Sequence, residues 1–287
     1  MEPTRVVDAH VHFWDPAELR YSWLDDLPAL LRPFLPADYE PLSSGTVDAV
    51  LFVEANCSLA ESAAEVAMVE RMAADEPRIA GTVAFVNLLD EAARPAALAR
   101  LAGMTGVVGV RQNIQGHAAG YAVDNAFVRG VEQVGRHGLT FDLCVTAHQL
   151  AEVTELVRRC ADTRFVLDHC GKPAIRDGAF EPWASDIRAL AAHANVSCKL
   201  SGLLTEARAD QLCDEALLPY ARQVLDCFGP SRLIYGSDWP VVTLAGGAGA
   251  WRAFTDRFTA AWTLAERQLF YSENAIRLYG LPLHVHS

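Results

Sequence analysis

The residues best suited to chemistry begin almost at the N-terminus, where the run Val6-Val7-Asp8-Ala9-His10-Val11-His12-Phe13-Trp14 places two histidines two positions apart. Side chains of a β-strand alternate between its two faces, so Asp8, His10 and His12 are expected on one side and Val7, Ala9 and Val11 on the other. Two imidazoles aimed the same way can bind a transition metal or polarise an oxygen. Two satisfied histidines at a strand end would look the same in isolation, and the choice depends on what other strand ends bring.

Reactive groups recur at the ends of later apolar runs. Glu54 closes Phe52-Val53-Glu54-Ala55, Arg111 closes Gly109-Val110-Arg111, and Asp168-His169 follow Leu167. Lys199 lies in Cys198-Lys199-Leu200-Ser201, and Asp238 in Gly236-Ser237-Asp238-Trp239-Pro240. Each has a plainer reading as well. Asp238 precedes Trp-Pro, which fixes a turn that its carboxylate could merely cap. Alternation puts only one of Asp168 and His169 inward; His169 is preferred as the functional one, with Asp168 supporting it. Lys199 shares a face with Ser197 and Ser201, or snorkels from the strand end. Arg111 could be a structural ion-pair partner, and Glu54 could serve only to orient Arg111 or Lys199. His117, His137, His148, His193, His284 and His286 fall in helix or loop contexts and are expected at the surface.

The elements that must position these groups follow one rhythm. After the first strand, strands are expected at Ala49–Ala55, Ile79–Val86, Val107–Arg111, Thr140–Val145, Arg164–Cys170, Val196–Ser201 and Leu233–Asp238, alternating with segments of helical period. Eight strands joined through helices imply parallel pairing, and such units close into a (β/α)8 barrel, a TIM barrel, here a distorted one. In that fold the C-terminal strand ends converge on one mouth. Residues 1 to 287 are read as one such domain. Residues 15 to 45 break the rhythm with Pro16, Pro28, Pro33, Pro36 and Pro41 among Tyr21, Trp23, Phe34 and Tyr39, and cannot form one helix. They are expected to cover the mouth and form a pocket wall.

Composition sets the outer limits. The 287 residues are 51% hydrophobic, enough for a large core, and carry a formal charge of −12, which disfavours a nucleic-acid surface. The seven cysteines include no Cys-x-x-Cys pair, as expected in a reducing compartment. No apolar span reaches transmembrane length, and Met-Glu-Pro-Thr-Arg leaves no room for a signal peptide before the first strand. A soluble, cytoplasmic protein without membrane or nucleic-acid partners is expected. Homo-oligomerisation is left open.

Five segments in this order carry a resemblance: Asp-Ala-His-Val-His-Phe-Trp-Asp-Pro at 8 to 16, Gly-Val-Arg at 109 to 111, Leu-Asp-His-Cys-Gly-Lys-Pro at 167 to 173, Cys-Lys-Leu-Ser-Gly-Leu at 198 to 203 and Tyr-Gly-Ser-Asp-Trp-Pro-Val at 235 to 241. They resemble the amidohydrolase superfamily and, more narrowly, its lactonase branch, which acts on sugar-acid lactones such as fuconolactone and rhamnonolactone or on 2-pyrone-4,6-dicarboxylate. The resemblance implies hydrolysis of a small cyclic ester, with His10 and His12 matching the first-strand motif, His169 the sixth-strand histidine and Asp238 the last-strand aspartate. No lysine stands at the end of strand four to bridge two metals, and strand five ends without a histidine unless His148 swings in. Zero or one zinc ion per chain is therefore expected.

On this reading Asp238 and His169 are catalytic, His10, His12, Glu54 and Asp238 are the candidate metal ligands, and Arg111, Lys199 and Trp14 bind substrate. Lactone hydrolysis needs an activated water, a stabilised oxyanion and a proton for the leaving alkoxide, which a positioned carboxylate and its neighbours can supply. No Gly-x-Ser-x-Gly pattern marks a nucleophile elbow. The alternative is a metal-dependent decarboxylase of an aromatic or unsaturated carboxylic acid, a reaction attributed to related barrels.

Overall fold

The computed structural model describes residues 5–283. Eight strands run parallel in the order β1 to β8: β1 Val7–Val11, β2 Ala49–Val53, β3 Ile79–Phe85, β4 Val107–Arg111, β5 Thr140–Leu143, β6 Arg164–Leu167, β7 Val196–Leu200 and β8 Leu233–Tyr235. Strand eight closes onto strand one. The Asp238 N–H donates to the His10 carbonyl at 2.9 Å and the His12 N–H to the Trp239 carbonyl at 2.7 Å. The sheet is thus a (β/α)8 barrel with its strands where the apolar runs placed them.

Helices wrap the barrel because their apolar residues repeat on one face. In Asn125–Arg136, Phe127, Val128, Val131 and Val134 are buried, and the Asp124 side chain caps the N-terminus by accepting from the Ala126 and Phe127 N–H groups. The last helical stretch, Leu264–Gln268, passes through a π-helical turn at Leu269–Glu273 into Asn274–Tyr279. Its end lies beneath the barrel, where Ala275, Ile276, Tyr279 and Leu281 pack against Val7, Leu51, Val83, Val166 and Ile234.

That plug corrects the first expectation about β1. Val7 and Ala9 belong to the apolar filling inside the barrel, and the β1–β2 register shifts between Asp8 and Val11. The irregularity lets His10 and His12 face inward while Asp8 turns away from them. Asp8 instead accepts from the Ser237 N–H at 2.8 Å and from the Tyr39 hydroxyl. Burial pushes the Asp8 pKa up, against the hydrogen bonds from Ser237 and Tyr39.

Residues 15 to 45 form a cover rather than a helix, pinned by an antiparallel bridge between Trp14 and Phe34 and by short turns such as Ser22–Asp26. Trp14, Tyr21, Trp23 and Phe34 pack ring against ring, and Trp239 joins them from the β8 side. Among the described residues no helix is long and apolar enough to cross a membrane.

Candidate active site

Three imidazoles converge on one carboxylate at the C-terminal mouth. The Oδ1 of Asp238 lies 3.5 Å from His12 Nε2, 3.7 Å from His10 Nε2 and 3.8 Å from His169 Nε2. Each side chain is placed by backbone that a regular strand would not provide. Asp238 has a φ of 62° and so leaves β8 in the left-handed region. His169, Cys170, Gly171 and Lys172 have φ of 53°, 53°, 69° and 48°, a continuous left-handed turn after β6. Gly202 faces that turn, and a Cβ there would come 2.7 Å from the His169 Cβ, so only glycine leaves the imidazole its place.

The turn also explains a second departure. Alternation admitted only one of Asp168 and His169, yet both are buried against the site because the chain stops being a strand at Leu167. Asp168 lies 3.2 Å from His10 Nδ1, 3.0 Å from Lys199 Nζ and 3.3 Å from Arg111 Nη1. Lys199 and then His10 hold its pKa well below the ordinary carboxylate range although burial opposes this.

Burial also opposes the charge of Asp238, but His169, the His12 hydrogen bond and His10 outweigh it and keep that carboxyl low as well. Burial depresses His169 to about 4 against the pull of Asp238, and lowers His10 well below its usual range. Near neutral pH the centre is therefore an ionised aspartate facing neutral His10 and His169. His12 donates from Nδ1 to the Val53 carbonyl at 2.7 Å, which fixes the ring with Nε2 toward Asp238.

A cavity of about 320 Å³ opens above this centre, sized for one small molecule. His12 and Trp23 line it from the β1 side, Ala55 and Asn56 from β2, Arg111, Asn113 and Gln115 from β4, Cys144 from β5, His169 and Lys172 from β6, and Asp238 and Val241 from β8. The proline-rich cover does form a wall, through Trp23, whose Nε1 donates to the Ala55 carbonyl at 2.9 Å.

Three sequence assignments move. Lys199 is fully buried below the cavity, paired with Asp142 at 2.6 Å and Asp168 at 3.0 Å, and does not reach a substrate there. Trp14 is also fully buried, its Nε1 donating to the Leu30 and Arg32 carbonyls. Glu54 spends one oxygen on Arg111 Nε at 2.6 Å and the other on the Asn56 N–H at 2.7 Å, so it orients the arginine and lies outside the possible metal groups. Arg111 lines the cavity with its charge matched by Glu54 and Asp168. His148 is exposed and bonded to Thr146, while His284 and His286 lie outside the described residues. Trp23, Asn56, Asn113, Gln115 and Lys172 escaped the strand-end reading because they lie outside the strands; Lys172 alone stood inside a quoted motif.

Two buried groups among the described residues have donor atoms close enough for a metal: His10, His12 and Asp238, and His10, Asp168 and His169. The first offers two imidazoles and a carboxylate, a donor set suited to zinc. In the second, the Lys199 ammonium and the Arg111 guanidinium already neutralise Asp168, which leaves no electrostatic room for a dication.

Eight parallel strands with a histidine–aspartate centre at their C-terminal mouth define a barrel built for chemistry at that mouth. Residues 7–281 match the family model described as amidohydrolase, and the chain belongs to that family. It is 37% identical over 259 residues to an L-fucono-1,5-lactonase of Burkholderia ambifaria, covering 88% of this chain and 87% of the relative. It is 34% identical to an L-fucono-1,5-lactonase of Burkholderia multivorans over 96% of both chains. A crystal structure of a Burkholderia multivorans amidohydrolase with bound zinc superposes with a TM-score of 0.86 at 33% identity, covering 97% of this chain and all of that one.

Proposed function

We propose that this enzyme opens a sugar-acid lactone, such as a fucono- or rhamnono-lactone, by general-base attack of water, with at most one metal ion per chain. The observation that carries the reading is the convergence of His10, His12 and His169 on an ionised Asp238 at the floor of a sugar-sized cavity. Asp238 accepts a proton from water as the water oxygen bonds to the lactone carbonyl carbon. The tetrahedral oxyanion forms beside Arg111 and His169; with Ser201 Oγ, 2.9 Å away, donating to Nδ1, His169 presents Nε2–H to that oxygen. The ring C–O bond then breaks, and Asp238 returns the proton to the departing alkoxide. The product acid ionises and releases one proton to the medium.

A carboxyl held as low as Asp238 is a weak base, so water must meet a carbonyl that is already polarised. Zinc bound by His10, His12 and Asp238 would supply Lewis acidity and lower the pKa of the attacking water.

Charge supports a neutral substrate. Of the charged groups that line the cavity, Arg111 is already neutralised by Glu54 and Asp168, and Lys172 is set against Asp238 and the nearby Glu206. A dianion would meet no surplus of positive charge. The free cysteines accord with a reducing compartment such as the cytoplasm, and a sugar-acid lactone as substrate would place the reaction in carbohydrate metabolism.

Incubation with L-fucono-1,5-lactone and L-rhamnono-lactone under a pH indicator should give proton release well above the spontaneous rate. Silence with every lactone, together with carbon dioxide evolution from an aromatic acid, would make the enzyme a decarboxylase instead.

A further inference from the structure

Two of the three cations around the mouth are held in ion pairs and the third is not. Arg111 has Glu54 and Asp168, and Lys199 has Asp142 and Asp168. Lys172 lines the cavity, yet among the described residues no carboxylate oxygen comes within 4.0 Å of its Nζ; Glu206, whose pKa it lowers against burial, acts on it from beyond that distance. Its Nζ donates to the Gln115 Oε1 at 2.5 Å, on the loop after β4. The backbone adds a second observation. Lys172 holds a left-handed φ of 48°, a conformation that glycine would adopt freely and that a residue with a Cβ resists. A side chain kept there against backbone preference, half-buried, anchored at one donor and open toward a cavity, is suited to meet a ligand.

We propose that Lys172, steadied by Gln115, is the specificity-determining residue of the cavity: it reads ring hydroxyls of the lactone and restricts the substrate class to polyhydroxylated lactones. The inference rests on the lactonase reading and deepens it. Lys172 Nζ stands beyond ion-pair distance of Asp238, so a ring whose carbonyl lies against Asp238 presents other atoms to the lysine. An ammonium that spends one N–H on Gln115 retains two donors, and the Gln115 amide NH2 and Asn113 add neutral partners beside it. Neutral amides next to one cation match hydroxyl oxygens. A carboxylate would be better matched by a guanidinium fork, and Arg111, the only guanidinium lining the cavity among the described residues, is already neutralised.

The plainer account makes Lys172 a tie between the loops after β4 and β6, and substrate pairs separate the two. The experiment compares parent and Lys172→Met on L-fucono-1,5-lactone and on δ-valerolactone, which has the ring without the hydroxyls. Hydroxyl reading predicts a KM for the fuconolactone raised about 10- to 100-fold, the worth of a hydrogen bond from a charged donor, with kcat nearly unchanged and δ-valerolactone turnover kept within about threefold. Equal losses on both lactones, or no change on either, would overturn it.

A calorimetric arm keeps this result apart from the lactonase reading. Should the parent open neither lactone, that reading falls. The hydroxylated δ-lactam should still bind the parent at least about tenfold more tightly than it binds Lys172→Met, with δ-valerolactam indifferent to the change. A parent that binds neither lactam, or a variant that binds both as the parent does, overturns the proposal. If circular dichroism shows Lys172→Met to be misfolded, Gln115→Leu replaces it, with the same selective KM effect expected at smaller size and the same overturning result.

Discussion

The barrel interior uses the same residue types at two depths to opposite ends. At the closed end, Lys199, Asp142 and Tyr279 saturate one another: Lys199 Nζ lies 2.6 Å from Asp142, and the Tyr279 hydroxyl donates to the same carboxylate at 2.9 Å. Burial raises Asp142 to about 6 in spite of Lys199. At the open end, Lys172 has an amide for a partner and Asp238 faces only imidazoles. A lysine sealed among carboxylates holds the barrel together; a lysine left short of partners can bind. Depth relative to the strand ends separates the two, and residue type does not.

The sharpest break of this comparison is on stability. Lys199→Met leaves Asp142 without its cation in a dry interior, and removing one member of a buried ion pair costs about 3–5 kcal/mol. Lys172→Met, at the rim, should cost no more than about 1 kcal/mol. Urea unfolding of both variants checks the contrast, and equal stabilities would erase the distinction between the two depths.

Acid should act somewhat less strongly, and chiefly at the mouth. His169 titrates near 4 when folded and near 6.5 when unfolded, so on acidification the unfolded chain takes up the proton first. Its contribution is neutral above about pH 6.5 and becomes destabilising as pH falls, by roughly 3 kcal/mol at pH 4 and below. His10, also depressed, adds to the same slope. Unfolding free energies at pH 7 and pH 4.5 should diverge more for the parent than for His169→Asn; identical slopes would mean that the imidazole is not held neutral.

Much of this was legible in the amino-acid sequence, and the misses have physical causes. The eight apolar runs became the eight strands, and His10, His12, His169 and Asp238 met as their positions implied. Period-two reasoning failed where strands are irregular: the β1 register shift turns Asp8 outward, and the left-handed turn after Leu167 brings in both Asp168 and His169. Periodicity gives direction without depth, so Lys199 and Trp14 were read as substrate contacts although they lie below and behind the cavity. Lys172 and Trp23 line the cavity from segments outside the strands, where no repeat announces a side chain's direction.

The central claim is that Asp238 moves the proton in the mouth's chemistry. The most direct test is Asp238→Asn, which keeps the shape of the side chain and removes its basicity. Lactone turnover should fall by about 10²- to 10⁴-fold, the usual contribution of a positioned acid–base group, while circular dichroism shows the variant folded. A folded Asn variant that still hydrolyses its lactone within a few-fold of the parent would contradict the account and move the role of base to His169.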